Sequence, residues 1–312
     1  MNPHGSGPIL ILVGPTGVGK SDVALHAAMR LSGEIVSADS RLLYRMMDIG
    51  TAKPDAAMRQ TVPHHLVDVA DPDRQYTSKD YEREARKVVG DILERGHLPV
   101  VVGGTGLYVR ALLEGIFDGP AADRALRENL RETARLKGKE FLWKKLAEVD
   151  PDKARSIAPQ NLSRVIRALE VFELTGRPMT ALEKGTAPMG VASVKIGLMR
   201  DRKDLYRLIE QRVDRMIESG LVDEVKRLVA VGYAGSPVVR NSLGYREVIR
   251  HLEGSLSLED AIDLIKKNTR HFAKRQITWF AKDKGIIWLD VTGRSDCLAL
   301  ASEVCEVYDR AK

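Results

Sequence analysis

Eight consecutive residues, Gly14-Pro15-Thr16-Gly17-Val18-Gly19-Lys20-Ser21, fit the pattern G-x-x-x-x-G-K-[ST] without a gap. The chemistry served by this spacing is the holding of phosphate. Glycines let backbone N–H groups turn inward onto anionic oxygens, and a following helix points its positive end at the same place. Lys20 adds a mobile point charge, and Ser21 offers a hydroxyl to a phosphate-bound Mg²⁺. A glycine-rich turn could match the pattern by chance, but the flanks argue against that. The apolar run Ile9-Leu10-Ile11-Leu12-Val13 reads as a buried strand, and residues 22–31 read as a helix. Such a loop usually serves ATP or GTP, yet the motif itself does not say which phosphate it holds.

Other residues could join it. Asp39 follows the short apolar strand 34–38 and could coordinate Mg²⁺ or act as a general base, although a capping or turn aspartate is the ordinary role in isolation. Asp290, after Ile286-Ile287-Trp288-Leu289, has the look of a Walker-B acid but comes late in the chain, so a strand-end turn residue is the plainer reading. His64 and His65 face opposite ways in an extended chain and read as structural, not metal-binding. The two cysteines, Cys297 and Cys305, sit eight apart in a helical pattern without C-x-x-C spacing, which fits a reduced cytoplasmic compartment.

These residues need elements to position them. In the first ~115 residues strands alternate with helices, which implies a parallel sheet with helices on both faces. Thr77 and Asp80 read as a capping box for a helix to Arg95, stopped by Gly96. Residues 98–102 form another buried strand, closing on Gly103-Gly104-Thr105-Gly106 and a helix ending at Gly115. Ligands gather at the carboxyl ends of strands in such sheets. Gly14, Asp39 and Gly103-Gly104-Thr105 all lie at those ends and should share one cleft. Residues 120–192 read as helices broken at Asp150-Pro151, Ala158-Pro159 and Gly176-Arg177-Pro178, hence an all-helical insertion. Strand pattern returns at 193–199, helices follow at 202–218, 221–231 and 257–281, and a last strand spans 285–290. The fold class is therefore α/β, a P-loop NTPase-like parallel sheet flanked by helices. Its core is 1–119 with 193–312, interrupted by the insertion.

The chain has 312 residues and a formal charge of +6, with no apolar run approaching the ~20 residues of a membrane span and no signal-peptide pattern in residues 1–8. The basic residues are clustered. Arg164 and Arg167 share a helix face; Arg200, Arg202, Arg207 and Arg212 lie near a later helix start; Lys266, Lys267, Arg270, His271, Lys274 and Arg275 form a stripe ending in Gln276-Ile277-Thr278-Trp279-Phe280. A basic stripe is usually a solvated helix face, but three of them beside a phosphate cradle suggest nucleic acid.

Several runs occur in an order that resembles the bacterial tRNA dimethylallyltransferases, also called tRNA isopentenyltransferases. They are Gly14 to Ser21, Ser37-Ala38-Asp39-Ser40-Arg41, Met47-Asp48-Ile49-Gly50-Thr51-Ala52-Lys53-Pro54, Pro63-His64-His65-Leu66-Val67-Asp68 and Gly103-Gly104-Thr105-Gly106-Leu107-Tyr108. Later come Arg164…Arg167-Ala168-Leu169-Glu170-Val171, Gly220-Leu221-Val222-Asp223-Glu224-Val225, Leu243-Gly244-Tyr245-Arg246-Glu247 and Thr269-Arg270…Ala273-Lys274-Arg275-Gln276-Ile277-Thr278-Trp279. The resemblance runs from about Ile9 to Asp290. The Asp-Ile-Gly-Thr-Ala-Lys-Pro and Ala-Lys-Arg-Gln-x-Thr-Trp runs are its most specific parts.

The resemblance implies transfer of a dimethylallyl group from dimethylallyl diphosphate to N6 of the adenosine just 3′ of a tRNA anticodon. Gly14 to Ser21 would hold the diphosphate as a leaving group. Lys20, the loop amides, Mg²⁺ at Ser21 and Arg212 would stabilise the charge that develops on it. Asp39 would orient the weakly nucleophilic amine and accept its proton, and Thr105 matches a family position that contacts RNA near the reacting base. The anticodon stem-loop would be gripped by Asp39, Ser40, Arg41 and Leu42, by Gln160, Asn161, Leu162, Ser163 and Arg164, by Asn241, Gly244, Tyr245 and Arg246, and by Lys274, Arg275, Gln276 and Trp279. The target base would be flipped out of its stack, with the helical insertion as a clamp. A cytoplasmic monomer without membrane partners is expected. Arg45-Met46-Met47 stands where Lys-Gly-Met is common, and Leu208 where arginine is frequent; neither replaces a residue assigned to chemistry. The chain lacks the Cys/His spacing of the zinc finger that eukaryotic members often carry. The rival readings are a P-loop small-molecule kinase, a non-catalytic RNA-binding NTPase switch and an isopentenyltransferase acting on free adenylate. A kinase has no use for the C-terminal basic stripe, the switch would leave RNA covalently unaltered, and the basic segments at 160–167 and 266–280 argue for tRNA over free adenylate.

Overall fold

The computed structural model describes residues 7–312, so the reading of residues 1–8 lies largely outside the described chain. The chain divides into two compact units, Met1–Leu113 with Met189–Lys312, and Glu114–Pro188. The first begins with β1 (Ile9–Val13), α1 (Lys20–Arg30), β2 (Gly33–Ser37), α2 (Ala56–Thr61), β3 (His64–His65), α3 (Ser78–Glu94), β4 (Leu98–Gly103) and α4 (Gly106–Glu114). The second contains α5 (Arg124–Lys137), α6 (Lys139–Val149), α7 (Pro151–Ser156), α8 (Leu162–Thr175) and α9 (Met179–Glu183). The first then resumes with β5 (Ser193–Met199), α10 (Arg202–Glu218), α11 (Leu221–Ala230), α12 (Pro237–Arg240), α13 (Tyr245–Leu252), α14 (Leu258–Phe280), β6 (Ile286–Asp290) and α15 (Cys297–Ala311).

Among the described residues the six strands are all parallel, in the order β3-β2-β4-β1-β5-β6. A central parallel strand is buried on both faces, which is why β1 is an unbroken apolar run. Its side chains alternate between two helical layers. Ile9, Ile11 and Val13 pack with Tyr81, Ala85 and Val89 of α3; Leu10 and Leu12 pack with Ala24, Ala27 and Ala28 of α1 and with Leu300 and Val304 of α15. Each such aliphatic side chain contributes about 1.5–3 kcal/mol by leaving water. Because β2, β4 and β1 are neighbours, the loops leaving their carboxyl ends emerge side by side. That sheet order brings Asp39, Gly103-Gly104-Thr105 and Gly14–Ser21 together. The capping box of α3 is present: Thr77 accepts from the Asp80 amide while Asp80 accepts from the Thr77 amide.

The helical unit has its own core of Leu142, Leu146, Val165, Ala168 and Leu169. Asp150 caps α7, and the buried Glu170 holds Arg127 and Arg167 at 2.8 and 2.6 Å. The unit ends at Pro188, earlier than the expected 192. Met189 N–H donates to the Leu113 carbonyl at 2.9 Å, Val191 packs in the main core, and Ile9 N–H donates to the Ala192 carbonyl. Residues 189–192 therefore already belong to the sheet unit. Four short elements, α2, β3, α12 and α13, have no counterpart in the sequence reading. Two to eight residues are too few for periodicity to register.

Candidate functional site

Local sequence places each part of the site. The loop between β1 and α1 folds on itself, with Lys20 Nζ donating to the Pro15 carbonyl at 2.9 Å. Beyond β2, Asp39 Oδ1 accepts from the Arg41 amide at 2.8 Å, an Asx turn that fixes the carboxylate. Beyond β4, Thr105 N–H donates to the Ala38 carbonyl and Thr105 Oγ1 accepts from the Ser40 amide, both at 3.1 Å. These bonds stitch the β2 and β4 loops together.

The strand-end loops open into a cleft. Its polar lining is Thr16, Lys20, Ser21, Ser37, Asp39, Thr51, His64, Arg212 and Gln276; its apolar lining is Ala24, Ile35, Leu42, Ala52, Pro54, Val67, Val102 and Phe272. Burial pulls the Lys20 ammonium down to a pKa of about 8; Asp39 opposes that shift and Arg212 adds to it. Burial also lowers Arg212, against the pull of Asp39, though a guanidinium stays charged. Two desolvated cations facing one carboxylate leave net positive charge, and a site of that kind favours an anion. Among the described residues, the Ser37 hydroxyl is buried without a hydrogen-bond partner while lining this cleft. An orphaned donor of that kind calls for a polar group of a ligand or water.

Arg212 reaches the cleft because it breaks the pattern of α10, lying beside Val213 on the face that buries Leu205 and Ile209. Its Nη2 donates to the Thr51 carbonyl at 3.1 Å. Thr51 belongs to the strap 48–54, whose architecture the sequence reading missed. The buried Glu224 accepts from the amides of Asp48, Ile49 and Gly50 at 3.0, 2.7 and 3.1 Å, and from the Tyr245 hydroxyl at 2.6 Å. Gly50 lies flat on the Tyr245 ring, where a Cβ would sit 2.5 Å from a ring carbon. Lys53, with its side chain 1% exposed, donates to Asp48, Asp68 and the Tyr44 carbonyl. Ala52 adopts a left-handed φ of +50°, a conformation that persists only where surrounding bonds impose it.

The residues expected to meet RNA fall into groups. Asn241, Lys274 and Arg275 are exposed on the sheet unit, as are Gln160, Asn161, Ser163 and Arg164 on the helical unit. Ser40, Arg41, Leu42, Thr105, Arg246 and Trp279 are half-buried, and Leu162 packs against the helical core. Gly244, Tyr245 and Gln276 are buried. Tyr245 is 0% exposed, because its ring and hydroxyl serve the strap. Gln276 is turned inward onto the phosphate loop. Arg200 is also internal, bonded to Asp204 and to the carbonyls of Val18, Val291 and Arg294. Arg270 and Lys266 pair with Glu210 and Asp214, which trims the basic stripe. Thr105 is tied to Ser40 and does not line the cleft, whereas Gly103 does. Asp290 closes its own turn with Thr292, and His65 pairs with Glu34 at 2.6 Å.

Among the described residues, no cluster of three or more His, Cys, Asp or Glu side chains could hold a metal. Ser21 and Asp39 are hard oxygen donors in the cleft, a set suited to a cation that arrives largely coordinated by phosphate. No helix among the described residues is long and apolar enough to cross a membrane.

Comparison with known proteins gives a consistent picture. Residues 42–283 match the family described as IPP transferase. A tRNA dimethylallyltransferase of Pelotomaculum thermopropionicum is 46% identical over 301 residues, covering 95% of each chain. The crystal structure of a full-length tRNA isopentenylpyrophosphate transferase from Bacillus halodurans superposes with a TM-score of 0.71 at 39% identity, covering 98% of this chain and 96% of that one. A eukaryotic dimethylallyltransferase described as acting on tRNA superposes at 0.79 with 29% identity, covering 96% of this chain and 77% of its own.

Proposed function

The chain belongs to the IPP transferase family, and we propose that it moves a dimethylallyl group from dimethylallyl diphosphate to N6 of the adenosine immediately 3′ of a tRNA anticodon. The observation that carries this reading is the composition of one cleft. Lys20, Thr16, Ser21 and Arg212 line it with groups that would meet an anion, while Ala24, Ile35, Leu42, Val67, Val102 and Phe272 line it with hydrocarbon. A short prenyl chain on a diphosphate needs both. A phosphoryl-donating kinase would use the cradle but has no use for the exposed Lys274 and Arg275 beside it.

In the reaction the allylic C–O bond breaks and its electron pair leaves with the diphosphate. The adenosine N6 lone pair forms the new C–N bond, and the N6 proton passes to Asp39. Negative charge therefore grows at the diphosphate, where Lys20 and Arg212 are already desolvated and aimed. The Arg41 amide holds one Asp39 oxygen, which keeps the carboxylate in a fixed orientation for the amine. Mg²⁺ bound through diphosphate oxygens and the Ser21 hydroxyl would supply further neutralisation of the leaving group. The exposed Gln160, Asn161, Ser163 and Arg164 support a grip on the anticodon stem-loop, and the target base would be flipped into the cleft. One chain acting alone in the cytoplasm suffices for this scheme.

The test is mass spectrometry of nucleosides from unmodified tRNA incubated with the protein, Mg²⁺ and dimethylallyl diphosphate, without ATP. A prenylated adenosine is expected. Unchanged tRNA, with active donor and folded protein, would overturn the reading.

A further inference from the structure

We propose that Gln276 is a positioning residue that sets the spacing between the diphosphate cradle and the loop beside the proton-accepting carboxylate. The inference deepens the transfer reading above and rests on it. On α14, Gln276 shares the inward face with Ala273 and Phe280, while Lys274 and Arg275 point to solvent. Its carboxamide spans two strand-end loops. Oε1 accepts from the Thr16 amide at 2.8 Å, and Nε2 donates to the Gly104 carbonyl at 2.9 Å. The partners dictate this orientation, since an amide N–H can only donate and a carbonyl only accept.

The two loops leave adjacent strands, β1 and β4, yet lie far apart in sequence. Gly104 continues into Thr105, which is bonded to Ala38 and Ser40 on either side of Asp39. One side chain thus links the loop that holds the leaving group to the loop that flanks the proton acceptor. The site is built to receive it, because a Cβ on Gly104 would lie 2.1 Å from Gln276 Nε2. Transfer requires the allylic carbon and the attacking nitrogen to approach within about 3–3.5 Å in line, and a misplacement of about 1 Å costs on the order of 100-fold in rate. A tether that fixes the two loops should therefore act on turnover more than on the binding of either substrate.

Only a group that accepts on one side and donates on the other can do this. A carboxamide qualifies, and so does a protonated carboxyl; a carboxylate does not. Steady-state kinetics of the full-length Gln276→Ala and Gln276→Glu enzymes across pH test the inference. For Gln276→Ala, kcat should fall about 30-fold while KM for dimethylallyl diphosphate and for tRNA stays within about threefold. For Gln276→Glu, the rate relative to wild type should recover about fivefold from pH 8 to pH 5, where a carboxyl of ordinary pKa (about 4.3) begins to gain the proton it donates to Gly104. A loss confined to KM, variants within about twofold of wild type, or a Gln276→Glu ratio flat with pH each overturns the proposal. If Gln276→Ala fails to fold, the Gln276→Glu ratio decides alone. A wild-type enzyme that makes no prenylated adenosine overturns the transfer reading instead, so the two failures are separable.

Discussion

The phosphate cradle and the strap line the same cleft but are held in place by opposite means. The cradle is eight contiguous residues between β1 and α1, and much of its shape follows from its own glycines and the helix that leaves it. The strap 48–54 has no regular structure and contains a left-handed alanine. It takes its form from Glu224 on α11, Tyr245 on α13 and the buried Lys53. A contiguous device announces its chemistry in the sequence. A device shaped from outside shows only a run of residues, without the acceptor that folds it. The strap nonetheless reaches the proposed site, because its Thr51 carbonyl receives Arg212.

The largest effect that can set the two apart is expected at the β2 end. Asp39→Ala should reduce transfer by about 10²–10⁴-fold while tRNA binding, measured by filter retention, stays near normal. A variant with near-wild-type transfer would remove Asp39 as the proton acceptor.

The cradle has a pH signature of its own. The Lys20 pKa of about 8 lies below that of an ordinary lysine, so its charge is complete below that pH and is lost as pH rises through it. The expected kcat/KM for dimethylallyl diphosphate therefore falls about tenfold per unit as pH rises above about 8. A profile unchanged in Lys20→Arg, whose charge persists, would assign the fall to another group.

Strap variants should be felt in stability as well as rate. Glu224→Ala orphans three backbone amides and the Tyr245 hydroxyl, and should destabilise the protein by about 3 kcal/mol. That corresponds to a drop in Tm of about 5–10 °C. Activity should fall severalfold through the loosened Arg212. A variant that melts as wild type does would mean that the strap holds itself.

Tyr245→Phe is the mildest probe. It keeps the ring beneath Gly50 and removes the hydroxyl that donates to Glu224, costing about 1–2 kcal/mol by thermal melting. An equal loss in Tyr245→Phe and Glu224→Ala would show that the hydroxyl, not the three amides, carries the anchor.

The same contrast explains what the sequence disclosed. The parallel sheet, the meeting of three strand ends, the α3 capping box and the all-helical segment were legible because each rests on a local pattern. Gln276 and Tyr245, which the resemblance gives to RNA, are buried, Gln276 against the phosphate loop and Tyr245 against the strap. Helical period held the answer for Gln276: Ala273 three residues before it and Phe280 four after it define a buried face. An arginine among Leu205, Ile209 and Val213 was a similar signal for Arg212. Nothing in the sequence pairs Glu224 with the strap, since that contact spans more than 170 residues and forms only once α11 is packed.

The hydrogen bond from Met189 to Leu113 has a consequence for cooperativity. It joins the two points at which the chain leaves and re-enters the sheet unit, so that unit closes its own circuit whatever the intervening segment does. The helical segment has a separate hydrophobic nucleus in Leu142, Leu146 and Val165, so local opening of that nucleus need not break the Met189–Leu113 closure. Nature could lengthen, trim or exchange that block with little penalty to the sheet, in the way a cassette is changed without rebuilding the machine around it.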